Sequence, residues 1–302
     1  GSEMCIRDRL MIDPEYAYAL ESLAEPEQGP VDDRRLWEKL PKKVWVGAGI
    51  VAVYVLIALL APVLAPHDPL AINPAEQLAS PSGKHLLGTD QLGRDVFSRL
   101  IYATRVDLPI GFLGALFPMI LGTVLGALAG FFGRWTDTVI MRTADVVQAF
   151  PAYILVIVLV FAMGQGARSI LVAFTVLAWV VYARIVRGEV LRVRGLDYID
   201  AARVAGLGRL RILRVHVMPN AINQTLTYLP NDIVFATLAL AAFSFLGLGI
   251  PPPNPEWGAM IADGQPFIRT NWWLATVPGL VIVVFGLGVS LIGEGLEEGL
   301  HR

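Results

Sequence analysis

One polar stretch of the chain combines residue types and a spacing that suit a specific contact with another molecule. Asp200, Ala201 and Ala202 are followed, after three residues, by Gly206, and the arginine-rich stretch continues to residue 220 between long apolar runs. Small side chains and glycine let another backbone approach closely, because they occupy little space. The chemistry that this pattern predicts is recognition of another protein surface.

A second set of polar residues lies inside the apolar runs. Asp145 with Gln148, and Asn231 with Asp232, stand at or near the depth of a bilayer, and a proline lies close to each pair. Ionisable groups at this depth usually face the interior of a helix bundle or an aqueous path. These four residues therefore predict a translocation path. Hydrogen bonds between helices, or a position at the membrane interface, explain them equally well.

Composition leaves little room for other chemistry. The single Cys5 excludes a disulfide within the chain and a cysteine-based metal site, and the four histidines at 67, 85, 216 and 301 have no metal-ligand spacing. No metal site is predicted. None of the four lysines follows a glycine-rich loop of the kind that holds ATP phosphates. A net charge of −2 gives no case for binding nucleic acid.

Apolar helices must position these residues. The chain is 55% hydrophobic and only 17% charged, which is typical of a membrane protein. A helix needs about 20 apolar residues to cross a bilayer. The runs predict six spans, the third broken by Pro151: 44–64, 108–132, 139–163, 170–185, 221–246 and 273–292.

Positive charges predict the orientation of these spans. Eight arginines run from Arg184, at the end of the fourth span, to Arg214, so this loop and both termini are expected in the cytoplasm. Lys84, Arg94 and other basic residues of the first long loop oppose this assignment, but aspartates offset them. Five parts are predicted: a cytoplasmic tail 1–43, a first helix 44–65, an extracytoplasmic segment 66–107, a core domain 108–293 and a cytoplasmic C-terminus 294–302. The core domain contains five spans and a coupling loop 186–220. Within the tail, residues 1–10 look foreign, and Met11 is the expected start.

The polar stretch is expected to form two short helices. Asp197 is a good N-cap for the first, and the glycines of residues 206–208 break it. The second starts near Arg209 and stops at Pro219, which cannot easily continue a helix. A solvated basic loop is the alternative, but it does not account for the small residues and the turn glycines.

A glycine ribbon predicts close packing of the second span. Gly122, Gly126 and Gly130 recur every four residues, a pattern that lets two membrane helices pack backbone to backbone. The alternative is that these residues reflect only the general abundance of glycine in membrane helices. Either interpretation concerns packing rather than catalysis.

Three segments carry a resemblance to a known family. The stretch 200–219 resembles the cytoplasmic "EAA" signature of ABC-importer permease subunits, with Asp200 in place of the usual glutamate. Residues 85–99 and 244–249 are similar to the dipeptide, oligopeptide and nickel branch of that family, and most resemble its "C" permease. Asp107 departs from the family, since a small hydroxyl residue is common there. The resemblance covers roughly residues 45 to 300.

The resemblance implies an all-α, type I ABC-importer permease fold with six transmembrane helices and a cytoplasmic coupling helix. It implies a prokaryotic plasma-membrane protein that pairs with a second homologous permease, two ATP-binding subunits and an extracytoplasmic solute-binding protein. No cofactor is expected on this chain, because ATP and Mg²⁺ would be bound by the ATPase partners. The residues implied in contact with the ATPase are Asp200, Ala201, Ala202, Gly206, Leu207, Arg211, His216 and Pro219.

The implied function is import of dipeptides, oligopeptides or related small solutes. Nickel-chelate and glutathione importers share the same permease pattern and remain alternatives. A more distant alternative is a secondary transporter that uses an ion gradient through Asp145 and Asp232. A membrane-embedded enzyme has no support, since the spans contain no nucleophile–base pair.

Overall fold

The computed structural model describes residues 41–300, which are largely helical. Within this range the only extended pairing is an isolated β-bridge between Thr89 and Asp95. The predicted tail, including its expected start at Met11, lies almost wholly outside the described residues, as do residues 301 and 302. The helices are α1 (Lys42–Leu64), α2 (Val96–Phe132), α3 (Arg134–Ala149), α4 (Ala152–Met163), α5 (Ala167–Arg194), α6 (Asp197–Val204), α7 (Arg209–Ile212), α8 (Met218–Phe245), α9 (Trp257–Gly264) and α10 (Trp273–Leu300).

The predicted all-α membrane fold is confirmed. Five helical segments of residues 41–300 are long and apolar enough to cross a bilayer: α1, α2, α5, the continuous stretch from α7 through α8, and α10. A sixth crossing results if the bent pair α3 and α4 counts as one span. Each of the six apolar runs in the sequence therefore corresponds to helix.

The third run is divided rather than straight. α3 and α4 meet at an angle of 91°, and the break includes Pro151, the residue that the sequence analysis singles out. Phe150, directly before the proline, is extended with ψ 140°, as the proline ring requires of its neighbour. The 12 residues of α4 are about 18 Å long, which is less than the hydrocarbon thickness of about 30 Å.

Two helices extend further than the apolar runs predict. α2 has 37 residues and begins after Asp95, whose carboxylate accepts the Ser98 N–H as an N-cap. Residues 96–107 are thus helical, and the irregular part of the predicted segment 66–107 ends at Asp95. α5 continues to Arg194, so the predicted loop 186–220 starts inside a helix. The charges that shortened both predictions have partners in space: Arg187, for example, donates to Asp137 at 2.5 and 2.7 Å.

The glycine ribbon of α2 lies directly against α5. A Cβ at Gly122 would meet the backbone oxygen of Trp179, and one at Gly126 would meet the backbone of Ala183. At Gly130 the nearest atoms belong to Val190, 2.9 Å away. The two helix backbones are therefore in contact over two full turns, which holds α2 and α5 as one unit.

Buried ion pairs fasten the N-terminal end of α2. Arg94 Nε donates to Asp90 Oδ2 at 2.7 Å, and Arg99 Nε lies 3.5 Å from the same oxygen. Arg94 also reaches Asp263 of α9, where burial raises the pKa of the carboxyl even though the neighbouring arginines lower it. These pairs neutralise Arg94 and Arg99, two of the basic residues that oppose the predicted orientation.

Replacement of Asp90 by alanine is expected to destabilise the protein by about 3 kcal/mol, because two buried guanidinium groups lose their shared carboxylate. This loss of stability is at the lower end of the range for a broken buried ion pair, because Arg94 keeps its contact with Asp263. Denaturant unfolding of the purified protein measures it. Asp68→Ala is the matched control, because the exposed Asp68 accepts only the Leu70 N–H. Equal stability of the two variants would contradict the prediction.

Candidate functional site

The predicted helix–turn–helix is present as the α6–α7 hairpin, residues 197–212. Its turn is a Schellman motif: the Gly206 N–H donates to the Arg203 carbonyl at 3.0 Å, and the Leu207 N–H donates to the Ala202 carbonyl at 3.2 Å. Gly206 has φ +76°, a left-handed conformation that favours glycine. The turn is thus closed by its own backbone.

One face of the hairpin is fixed to the membrane helices by an apolar cluster. Ile199, Ala202 and Ile212 are buried. They pack with residues of α2, α5, the π-helical turn Leu213–Val217 and the start of α8. The other buried members of the cluster are Ala127, Phe131, Val186, Val190, Val193, Leu213, Val217 and Ala221. The hairpin therefore packs directly against three long helices.

The opposite face is exposed and contains a residue that the sequence analysis missed. Val204 is 90% exposed, more than any other large apolar side chain of the described residues. Asp200, Ala201 and Gly206 are exposed beside it, and Asp200 pairs with Arg203 at 2.5 Å. The sequence contains only an indirect signal: residues three apart share a helix face, so position 204 falls opposite Ile199 and Ala202, but the spacing alone does not say that these two are the buried residues.

The ends of the hairpin differ from the prediction. The N-cap residue is Leu196, and Asp197 is the first helical residue without a capping hydrogen bond from its side chain. Pro219 does not stop the second helix. The π-helical turn leads into α8, and Pro219 stands in the first turn of α8, where a missing N–H leaves no helical hydrogen bond unmade.

The other predicted contact residues surround the hairpin. Leu207 packs on the apolar cluster, whereas Arg211 and Pro219 are exposed. His216 is half-buried, and its backbone carbonyl accepts the hydroxyl of Tyr198 at 3.3 Å. Tyr198 therefore joins α6 to the π-helical turn, a role that no feature of the sequence indicated.

Arginines line a cavity of about 640 Å³ next to the hairpin. Arg194 donates to the carbonyls of Gly130 and Phe131 at the C-terminal end of α2, where a positive charge is favourable. The remaining polar residues of its wall are Arg134, Arg203 and Arg209. This end of the molecule is therefore strongly basic.

The four predicted path residues differ in exposure. Asp145 is exposed on α3 and pairs with Arg184 at 3.0 Å, and Gln148 is exposed on the same helix. Asn231 is exposed on α8. Only Asp232 is buried, and it lines a largely apolar cavity between α2, α4, α5 and α8.

Comparison with known protein families gives two matches. Residues 122–302 match the family described as binding-protein-dependent transport system inner membrane component. Residues 42–81 match the N-terminal transmembrane domain of oligopeptide transport permease C. The first match includes α5, the α6–α7 hairpin, α8 and α10.

Curated relatives are similar over nearly their whole length. The dipeptide transport system permease protein DppC of Alkalihalophilus pseudofirmus is 35% identical over 286 residues, which cover 91% of this chain and 94% of that protein. The glutathione transport system permease protein GsiD of Pectobacterium atrosepticum is 37% identical over 270 residues, covering 88% and 90%. The similarity thus extends far beyond the hairpin.

A solved structure has a similar fold. A chain of the MetNI methionine ABC transporter in inward-facing conformations aligns with a TM-score of 0.55 at 17% identity. The alignment covers 68% of this chain and 97% of that chain. At this identity the likeness concerns the fold alone.

Proposed function

The chain belongs to the family of binding-protein-dependent transport system inner membrane components and is a permease of an ABC importer, and we propose that it carries dipeptides or oligopeptides. The similarity to dipeptide and di/tripeptide permeases supports this substrate class. Import of glutathione, itself a small peptide, is the second candidate, favoured by the 37% identity to a glutathione permease.

The α6–α7 hairpin is the proposed contact with the ATPase. The observation that carries this proposal is Val204, an almost fully exposed apolar side chain on a polar hairpin whose other face is packed on the membrane helices. Leu210 of α7 is also exposed, and exposed apolar surface with a polar rim marks protein–protein contacts. Movement of the docked ATPases would pass through the apolar cluster to α2, α5 and α8.

The proposed assembly contains this chain, a second homologous permease, two ATP-binding subunits and an extracytoplasmic binding protein in a prokaryotic plasma membrane. The hairpin faces the cytoplasm together with both termini. ATP and Mg²⁺ are held by the partners, since this chain has no phosphate-binding loop. The permease itself performs no hydrolysis.

Reconstitution of the assembly in liposomes tests this function. Uptake of a labelled dipeptide is expected to require ATP, the ATPase subunits and the binding protein together, because the permease has no energy source of its own. Unlabelled dipeptides and glutathione, added as competitors, decide between the two substrate candidates. Uptake by this chain alone, driven by an ion gradient, would instead identify a secondary transporter.

A further inference from the structure

Two histidines and an aspartate meet where the chain enters α2. His67 follows α1, His85 lies in the long segment between α1 and α2, and Asp95 is the N-cap of α2. One potential ligand atom from each of the three lies within 4.8 Å of the others. His85 and Asp95 are buried, and Nδ1 of His67 is also buried but has no hydrogen-bond partner in the described chain.

The distances in this His67–His85–Asp95 cluster are close to those of a metal site. His85 Nδ1 lies 2.8 Å from Asp95 Oδ1, and His67 Nδ1 lies 3.7 Å from the same oxygen. Ligand atoms at about 2.0–2.1 Å from a tetrahedral zinc ion are roughly 3.3 Å apart. Each of these two distances therefore needs to change by only about half an ångström to accommodate the ion.

Neighbouring groups hold the ligands in place. Asp95 Oδ2 accepts the Ser98 N–H at 2.8 Å, which leaves Oδ1 directed at the two histidines. His85 Nε2 lies 3.3 Å from Glu76 Oε2, so its second ring nitrogen can donate to a carboxylate. Histidines that bind metals almost always have such a partner for the other nitrogen. A hydrogen-bonded pair of His85 and Asp95 alone would leave His67 Nδ1 buried without a partner.

We propose that His67, His85 and Asp95 bind a divalent transition-metal ion, with Zn²⁺ as the fitting species. Two imidazoles and one carboxylate form a nitrogen and oxygen ligand set that suits zinc, with a fourth position left for water. The ion fastens the chain after α1 to the start of α2. The sequence predicted no metal site because positions 67, 85 and 95 have no regular spacing, and only the fold of the intervening segment brings them together. This site is independent of the proposed transport function.

Zinc stoichiometry tests the proposal. The purified full-length protein is stripped with a chelator, equilibrated with ZnCl₂ and dialysed, and the bound zinc is counted by elemental analysis. One ion per chain is expected for the wild type, and none for His67→Ala or His85→Ala. His216→Ala is the matched control, because it removes a histidine of the hairpin end and should retain the ion. Equal zinc in the wild type and His67→Ala would overturn the proposal.

Two features of the experiment distinguish loss of zinc binding from loss of folding. His67 is 35% exposed at its side chain and makes no side-chain hydrogen bond to residues 41–300, so His67→Ala should remain folded, and size-exclusion chromatography checks this. Glu76→Gln keeps the shape of a residue that contacts the ligand His85 and that also accepts from Lys84 and Asn73. We expect this variant to bind one ion about 10–100-fold more weakly. An unchanged affinity would remove Glu76 from the site, and an absence of any wild-type binding would reject the site itself.

Discussion

Replacement of Val204 by glutamate is expected to abolish ATP-driven uptake while the purified permease remains folded. Val204 is 90% exposed and lies opposite the buried face of α6, so its replacement removes no internal contact. Burial of a valine side chain in a contact contributes about 1.5 kcal/mol or more. Loss of this term, together with burial of a charge, lowers the affinity for the ATPase by more than about tenfold.

Copurification with the ATPase subunits and uptake in liposomes measure the effect. Val204→Ile keeps an apolar side chain and serves as the matched control, with uptake near the wild-type rate. Val204→Ala should be intermediate because it shortens the side chain without adding a charge. Wild-type uptake by Val204→Glu would show that the hairpin does not contact the ATPase through this face.

The contrast between Gly206 and Val204 shows what the sequence of this hairpin could reveal. The turn was predictable because a Schellman motif depends on a local feature, a glycine with positive φ at position 206. Exposure of Val204 was not evident, because a valine in an apolar protein is expected inside. Only the burial of Ile199 and Ala202 fixes which side of α6 faces outward.

Helix lengths show the same division between local and distant causes. The apolar runs predicted the positions of the spans because transfer into a bilayer depends on composition over about 20 residues. They missed the start of α2, which begins at Val96 and includes Arg99 and Asp107, two residues outside the predicted apolar run. Their partners, Asp90 and the Trp257 N–H, come from outside the helix. The fold, not the sequence near them, makes these charges acceptable.

The His67–His85–Asp95 cluster depends still more on distant contacts. The long segment from residue 65 to residue 95 contains only one short helical turn, Pro74–Glu76, so no regular spacing aligns its side chains. Local turns fix its course, among them Gly88 and Gly93, which both have positive φ. Sequence patterns therefore predicted the spans and the hairpin turn, but not the cluster.

Replacement of Gly126 by leucine is expected to prevent the permease from folding. A Cβ at this position would meet the carbonyl oxygen of Ala183, and it would lie 2.9 Å from the Ala183 Cα and 3.0 Å from the carbonyl carbon. These atoms belong to the backbone of a buried helix, so rotation of a side chain cannot relieve the clash. Relief requires α2 and α5 to separate, which also opens the contacts at Gly122 and Gly130.

The cost should exceed about 4 kcal/mol, the range reached only by exceptional substitutions. Yield of monodisperse protein and its denaturant midpoint measure this loss. Gly49→Leu on α1 is the matched control. Gly49 is exposed, and a Cβ there meets no atom within 4 Å, so the same substitution places the leucine side chain on the outside of the protein. If both leucine variants fold equally well, close contact between α2 and α5 is not required. If only Gly126→Leu fails to fold, the glycine ribbon is what joins α2 to α5. It then connects the helix that begins after Asp95 with the helix that leads into the α6–α7 hairpin.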